Sequence, residues 1–186
     1  MIVTEVITRQ ELDTRIAELG RAISEDYEGR RPVLVAILTG SLWFLADLLR
    51  AIDIPVEADF LLLNRFGEGG RIRIAMDTET PLTGRDVIIV EDIVDTGLSL
   101  TVLRRMMTDR GVSSVATATL LDKTSRRLVE VPLEYRGFEV GDEFLLGYGL
   151  DYKGAYRNLP SIWVVLDFAA FQEDPRLLAR LAFGTS

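Results

Sequence analysis

The stretch Val87 to Thr101, VIIVEDIVDTGLSLT, limits what this chain can fold into more than any other. It opens on a β-branched apolar run, Val87 to Val90, short enough to be a strand buried on both faces. Two carboxylates follow, Glu91 and Asp92, then a polar turn of Asp95, Thr96, Gly97, Leu98 and Ser99. Leu103, Met106 and Met107 next recur at helical spacing, with Gly111 at the position of a C-terminal stop. The order is strand, acidic pair, hydroxyl-rich loop, helix.

In an open α/β sheet, ligands bind beyond the carboxyl ends of the strands, and the following helix turns its free N–H groups and positive end toward them. A phosphate suits such a place. Gly97 lets backbone approach its oxygens, and Thr96, Ser99 and Thr101 bring hydroxyls. The carboxylates cannot bind that phosphate, so they require sugar hydroxyls, a divalent cation, or both. A ribose 5-phosphate with a metal nearby meets these demands.

Composition narrows the chemistry. The 186 residues include no cysteine and no histidine, so thiolate and imidazole catalysis are excluded. Carboxylates, Lys, Arg, Tyr and backbone groups remain, and any metal is a hard, oxygen-liganded ion such as Mg²⁺. The net charge of −8 argues against a nucleic-acid partner. No apolar run reaches the length of a membrane span, and Glu5, Arg9 and Glu11 interrupt any signal-peptide core, which points to a cytoplasmic protein with no membrane partner.

Taken in order, Thr8 and Glu11 form a capping box ahead of Leu12, Ile16, Leu19 and Ile23 at helical spacing. Val33 to Leu38 reads as a buried strand, followed by the turn Thr39, Gly40, Ser41 and a helix from Leu42 to about Ile52. Val56 to Leu63 is a third strand. Asn64 to Gly70, with Ile72, Ile74 and Met76 alternating after it, suggests a hairpin flap. Ser114 to Leu121 is a strand ending at Asp122 and Lys123. Short segments follow at Leu133 to Tyr135, Phe138 to Val140 and Glu143 to Tyr156, then a strand at Ser161 to Phe168 and a helix from Pro175 to Phe183. The expectation is one α/β domain over 1–186, with a core at about 30–130 and a small hood built mainly from 131–186 and the N-terminal segment.

VIIVEDIVDTGLSLT resembles the phosphoribosyl-diphosphate (PRPP) motif of type I phosphoribosyltransferases. TLLDKTSRR (Thr119 to Arg127), YRGFEVGDEFLLGYGLDY (Tyr135 to Tyr152) and YRNLP (Tyr156 to Pro160) resemble the bacterial hypoxanthine-guanine branch of that family. The resemblance implies the type I fold, a mainly parallel central sheet flanked by helices with a hood and a flexible flap. It also implies Mg²⁺-dependent transfer from PRPP to hypoxanthine or guanine, giving IMP or GMP and pyrophosphate.

Roles follow from the same resemblance. Glu91 and Asp92 would hold the ribose hydroxyls and, through them or water, Mg²⁺, with Asp151 as a direct metal ligand. Asp95 to Ser99 would cradle the 5′-phosphate, and Asp95 would take the proton from purine N7. Lys123 would donate to the 6-oxo group, Phe144 stack on the base and the Leu145 backbone read its other edge. Arg157, with the Thr39–Gly40 turn, would hold pyrophosphate. The family's first turn usually reads Leu-Lys-Gly, with an unusual peptide geometry, and here Thr39 replaces the Lys. The usual Ser-Tyr flap pair is Arg65 and Phe66 here. Two alternatives stay open: a PRPP- or nucleotide-binding regulator with little turnover, and a transferase for xanthine or another base. A homodimer or homotetramer is implied.

Overall fold

The computed structural model describes residues 2–66 and 71–184, with the side chains of residues 65, 66, 71 and 72 outside the description. Nine strands and five α-helices are arranged as β1 (Val3–Ile7), α1 (Arg9–Asp26), β2 (Val33–Leu38), α2 (Leu42–Ala51), β3 (Glu57–Phe66), β4 (Arg71–Met76), β5 (Asp86–Val94), α3 (Leu98–Asp109), β6 (Ser114–Asp122), β7 (Tyr135–Glu139), β8 (Phe144–Leu146), β9 (Ile162–Val165), α4 (Phe168–Glu173) and α5 (Arg176–Phe183) among these residues. A six-stranded sheet runs β4-β3-β2-β5-β6-β7, and a three-stranded sheet runs β1-β9-β8. All neighbours in the large sheet are parallel except the β3–β4 edge pair.

The central strands are apolar on both faces because both are covered. Leu34 and Ala36 of β2, with Ile88 and Val90 of β5, pack against α1 and α2 through Leu12, Ile16, Phe44 and Leu48. The alternate residues Val33, Val35, Val87 and Ile89 meet Leu100, Leu103 and Met107 of α3. The small sheet has its own core, in which Val3, Leu146 and Val165 pack with Phe171 and Leu178. It is the expected hood, joined from the N-terminal strand and late segments.

Several boundaries differ from the sequence reading. β5 does not stop at Val90 but continues through both carboxylates to Val94, because β6 pairs beside it as far as Val94↔Asp122. Leu133 to Tyr135 and Phe138 to Val140 resolve into the single strand β7, held in register by Ala118 to Asp122. From Glu143 to Tyr156 only Phe144–Leu146 is strand; the rest turns through Gly147 and Gly149, both at positive φ. The helix α4 was not expected. The hairpin is present as β3 and β4, paired from Leu62↔Met76 to Phe66↔Arg71. Its Gly67, Glu68, Gly69 and Gly70, and the side chains of Arg65 and Phe66, lie outside the described residues. Among the described residues, no helix is long and apolar enough to cross a membrane.

One polar contact ties the hood to the sheet's helical layer. The buried Tyr148 hydroxyl donates to Asp47 Oδ2 at 2.5 Å, and Arg9 Nη2 stands 3.0 Å from the same oxygen. Burial works against ionisation of Asp47, but the Tyr148 hydrogen bond and the Arg9 and Arg50 guanidiniums outweigh it and hold the carboxyl below its usual range. A depressed carboxyl pKa contributes stability above the unfolded value and loses it as pH falls through the folded one. Tyr148→Phe is therefore expected to destabilise by about 1.5–3 kcal/mol at pH 7. Its denaturation midpoint should converge with that of the unaltered protein below about pH 4.

Candidate functional site

β2 turns back through α2 to β3 on one side, and β5 takes its place on the other side of β2. The strand order reverses between β2 and β5, where α/β sheets open a crevice at their carboxyl ends. The turn after β2 and the loop after β5 meet there. A cleft of about 280 Å³ at this point is lined by Leu38, Glu91, Asp92, Asp95, Thr96, Gly97 and Ser99, among others. The structure thus gathers the acidic pair and the phosphate-loop candidates into one cavity.

Local chemistry explains the loop's shape. Gly97 caps α3 at φ 82°, a left-handed conformation, and a Cβ there would lie 2.7 Å from the Val129 carbonyl. Only glycine meets both conditions without strain. It opens a twelve-residue helix whose first turn, with Ser99 and Leu100, lines the cleft. Thr101 is a correction: its hydroxyl donates to Gly97 O at 2.9 Å inside the helix and is not directed to a ligand. Leu98 is exposed, so its place in the loop is a backbone one.

The turn after β2 lies against the acidic pair. The Leu38–Thr39 peptide is cis, an unusual geometry at the position where the resemblance implied one. Gly40 is buried so tightly that a Cβ would overlap Asp92 Oδ2, while Thr39 is exposed. Gly149 packs against the Gly40 carbonyl in the same way. The first turn, Asp92 and the 147–157 segment are therefore in one contact chain.

Asp92 is the most perturbed carboxyl in this chain of contacts. Burial pushes it up to about 6, its own backbone and that of Ile93 and the Arg157 charge pull it down, and Asp151 pushes it up again. A carboxyl held above its unfolded value costs stability once it ionises, and the cost disappears as pH falls below the unfolded value. Asp92→Asn is expected to stabilise the ligand-free protein by about 2–3 kcal/mol at pH 7.5, with no difference from the unaltered protein near pH 4. Paired thermal scans at the two pH values measure this.

Asp95 is partly exposed, and its Oδ1 has no aligned donor although Arg126 Nε stands 3.0 Å away as an ion-pair partner. The side chain expected to take a proton is thus ion-paired through Oδ1 and about half exposed overall. Arg126 also reaches Asp142 at 3.1 Å, bridging the loop to the segment before β8.

The base-side candidates stand apart from that cleft's lining. Lys123 is buried, and its Nζ donates to the carbonyls of Glu143 at 2.7 Å and Asp142 at 3.2 Å. An ammonium has three donors, so one remains for a ligand. Phe144 packs in an aromatic cluster, 5.0 Å from Phe168 and 6.2 Å from Tyr152 between ring centres. Leu145 lies in β8, the edge strand of the small sheet, where outward backbone groups are available to a ligand. Asp151 and Arg157 are paired with each other at 2.7 Å; Arg157 also donates to Gly149 O at 2.5 Å, and Asp151 accepts from Gly154 N at 2.7 Å.

Among the described residues, no three metal-ligating side chains converge on one point, so Asp151, Glu91 and Asp92 do not form a preformed cage. The donor set still suits Mg²⁺, which binds through one or two carboxylates while keeping waters and substrate oxygens. The raised pKa of Asp92 beside Asp151 marks a place where a cation would relieve repulsion.

Sequence reading missed Arg126, the Asp47–Tyr148 contact and the Arg127–Asp122–Arg136 cluster. The string DKTSRR carried the arginines, but nothing in its spacing says which carboxylate each one meets.

Residues 4–153 match the family model described as "Phosphoribosyl transferase domain". The chain is 44% identical over 167 residues to the hypoxanthine phosphoribosyltransferase of Salmonella typhimurium, covering 87% of this chain and 94% of that one. It is 41% identical over 164 residues to the hypoxanthine-guanine phosphoribosyltransferase of Streptococcus thermophilus, with 86% and 91% covered. A crystal structure of a hypoxanthine-guanine phosphoribosyltransferase from Bacillus anthracis superposes with a TM-score of 0.86 at 38% identity, covering 89% of this chain and all of that one.

Proposed function

The chain belongs to the phosphoribosyltransferase family, and from that premise we propose that it is a purine-salvage enzyme converting hypoxanthine or guanine and PRPP to IMP or GMP and pyrophosphate. The observation that carries this reading is the cleft between β2 and β5, which the acidic pair and the 95–99 loop line together with Leu38 at the end of β2.

Glu91 and Asp92 accept from the ribose 2′ and 3′ hydroxyls, and the 95–99 loop takes the 5′-phosphate on its N–H groups and hydroxyls. The Thr39–Gly40 backbone and Arg157 hold the diphosphate, whose oxygens suit a guanidinium fork. Arg157 exchanges its Asp151 partner for the ligand on binding. Asp151, with Glu91 and Asp92, would hold Mg²⁺, which would supply charge neutralisation to the leaving pyrophosphate. C1′ passes through an oxocarbenium-like state, and N9 attacks from the opposite face with inversion. As N9 attacks, N7 becomes acidic and Asp95 accepts its proton. Phe144 stacks on the ring, the Leu145 backbone meets its edge and Lys123 holds the 6-oxo group.

We further read the chain as one phosphoribosyltransferase unit, cytoplasmic, without nucleic-acid or membrane partners, and assembled as a homodimer or homotetramer. Product formation from PRPP and Mg²⁺ with hypoxanthine, guanine, xanthine and adenine in parallel tests the reading. Turnover of hypoxanthine or guanine but not adenine supports it. PRPP binding with no turnover on any base would instead make the chain a regulator.

A further inference from the structure

Arg127 holds a buried charge that none of these roles uses. Its side chain is 9% exposed, one guanidinium nitrogen pairs with Asp122 Oδ1, and the other, Nη1, is buried with no hydrogen-bond partner. Asp122 is itself buried and receives Arg136 Nη1 on its second oxygen at 3.2 Å. Arg136 also reaches Glu139 at 3.9 Å, so the two guanidiniums are matched by two carboxylates. Buried ion pairs stabilise poorly against apolar packing of the same volume, and an orphaned buried donor asks for a reason.

Its position supplies one. A Cβ built on Gly97 would lie 3.1 Å from Arg127 Cδ and 3.3 Å from Nη1, so the guanidinium is packed against the residue that caps α3. The segment bearing Arg127 is bonded to the same loop, with Leu128 N and Val129 N donating to Thr96 O at 3.0 and 3.3 Å. Thr96 and Gly97 line the cleft, whereas Arg127 lines a second cavity, of about 330 Å³, with Thr124 and Arg136. The charge therefore lies behind the loop and out of reach of a ligand in the cleft.

We infer that Arg127, held by Asp122 and backed by Arg136, is a positioning residue for the 5′-phosphate: through its packing against the Gly97 backbone it fixes the loop's N–H groups toward the dianion. The inference rests on the reading that the 95–99 loop holds that phosphate. Loop N–H groups held in this way serve only ligands that carry the phosphate.

Calorimetric titration with IMP and with inosine, which lacks the 5′-phosphate, tests this. Arg127→Gln should weaken IMP binding about 10- to 100-fold and change inosine binding less than twofold, while Arg127→Lys should recover most of the IMP loss. A merely structural Arg127 would weaken both ligands alike, and that result overturns the inference. If Arg127→Gln does not fold, Arg136→Gln, altered at a half-exposed side chain, should weaken IMP alone by a few fold; an unchanged ratio of the two affinities overturns the inference there too. Unaltered protein that binds IMP no better than inosine would instead overturn the placement of the phosphate in this loop, whereas a preference that survives Arg127→Gln overturns only the role of Arg127.

Discussion

Asp95→Asn is expected to lower kcat for hypoxanthine by about 10²–10⁴, the range for removing a positioned general base. Affinity for PRPP should change by no more than a few fold, because the loop's N–H groups and the Gly97 turn do not depend on that charge. The ground for this split is that Asp95 lines the cleft with a half-exposed side chain. Loss of the Arg126 ion pair is a small perturbation, since both side chains are about half exposed. Single-turnover measurements at saturating PRPP separate the two quantities. A variant that keeps kcat within a few fold would mean that N7 loses its proton to water and that Asp95 serves only the loop.

Lys123→Met should cost hypoxanthine about 10²–10³ in kcat/KM, comparable to removing one preorganised donor at a reacting ligand. Adenine should gain relative to hypoxanthine, because an ammonium facing the 6-position penalises an amino group that also donates. The Asp142 and Glu143 carbonyls released by the change are on exposed residues, so water replaces the lost donors and the fold should survive. A melting temperature within a few degrees of the unaltered protein, together with the shifted base preference, is the expected pair of results. Equal losses for both bases would place the purine's 6-position elsewhere.

Much of the frame was legible because it obeys a period. Val33 to Leu38 is a strand with the bounds its apolar run predicts, and Thr8 caps α1 through the box its spacing predicts. Other features have no local signature. β5 carries two carboxylates inside its paired length, which alternation alone would place after the strand; the neighbouring β6 decides otherwise. α4 is six residues long, too short to display a helical face, and is fixed by the Asp167 cap and by Phe171 in the hood core. Asp122 and Arg127 sit at a strand end and in the turn after it, so neither period relates them. Asp47 and Tyr148 meet only because the hood folds back on α2. The cleft's acidic pair and 95–99 loop lie in one contiguous motif, whereas the supporting charges come from pairings across the fold.

The small sheet pairs a strand that begins at residue 3 with one that ends at residue 165, and β8 attaches only through β9. During synthesis β1 therefore waits for a partner made after every strand of the large sheet. The six-stranded sheet and the 95–99 loop are synthesised while Phe144 and Leu145 still lack the strand that holds them. Vectorial synthesis thus makes the loop after β5 available first and the β8 segment last, and β1 spends that interval as an unpaired edge open to the wrong neighbour.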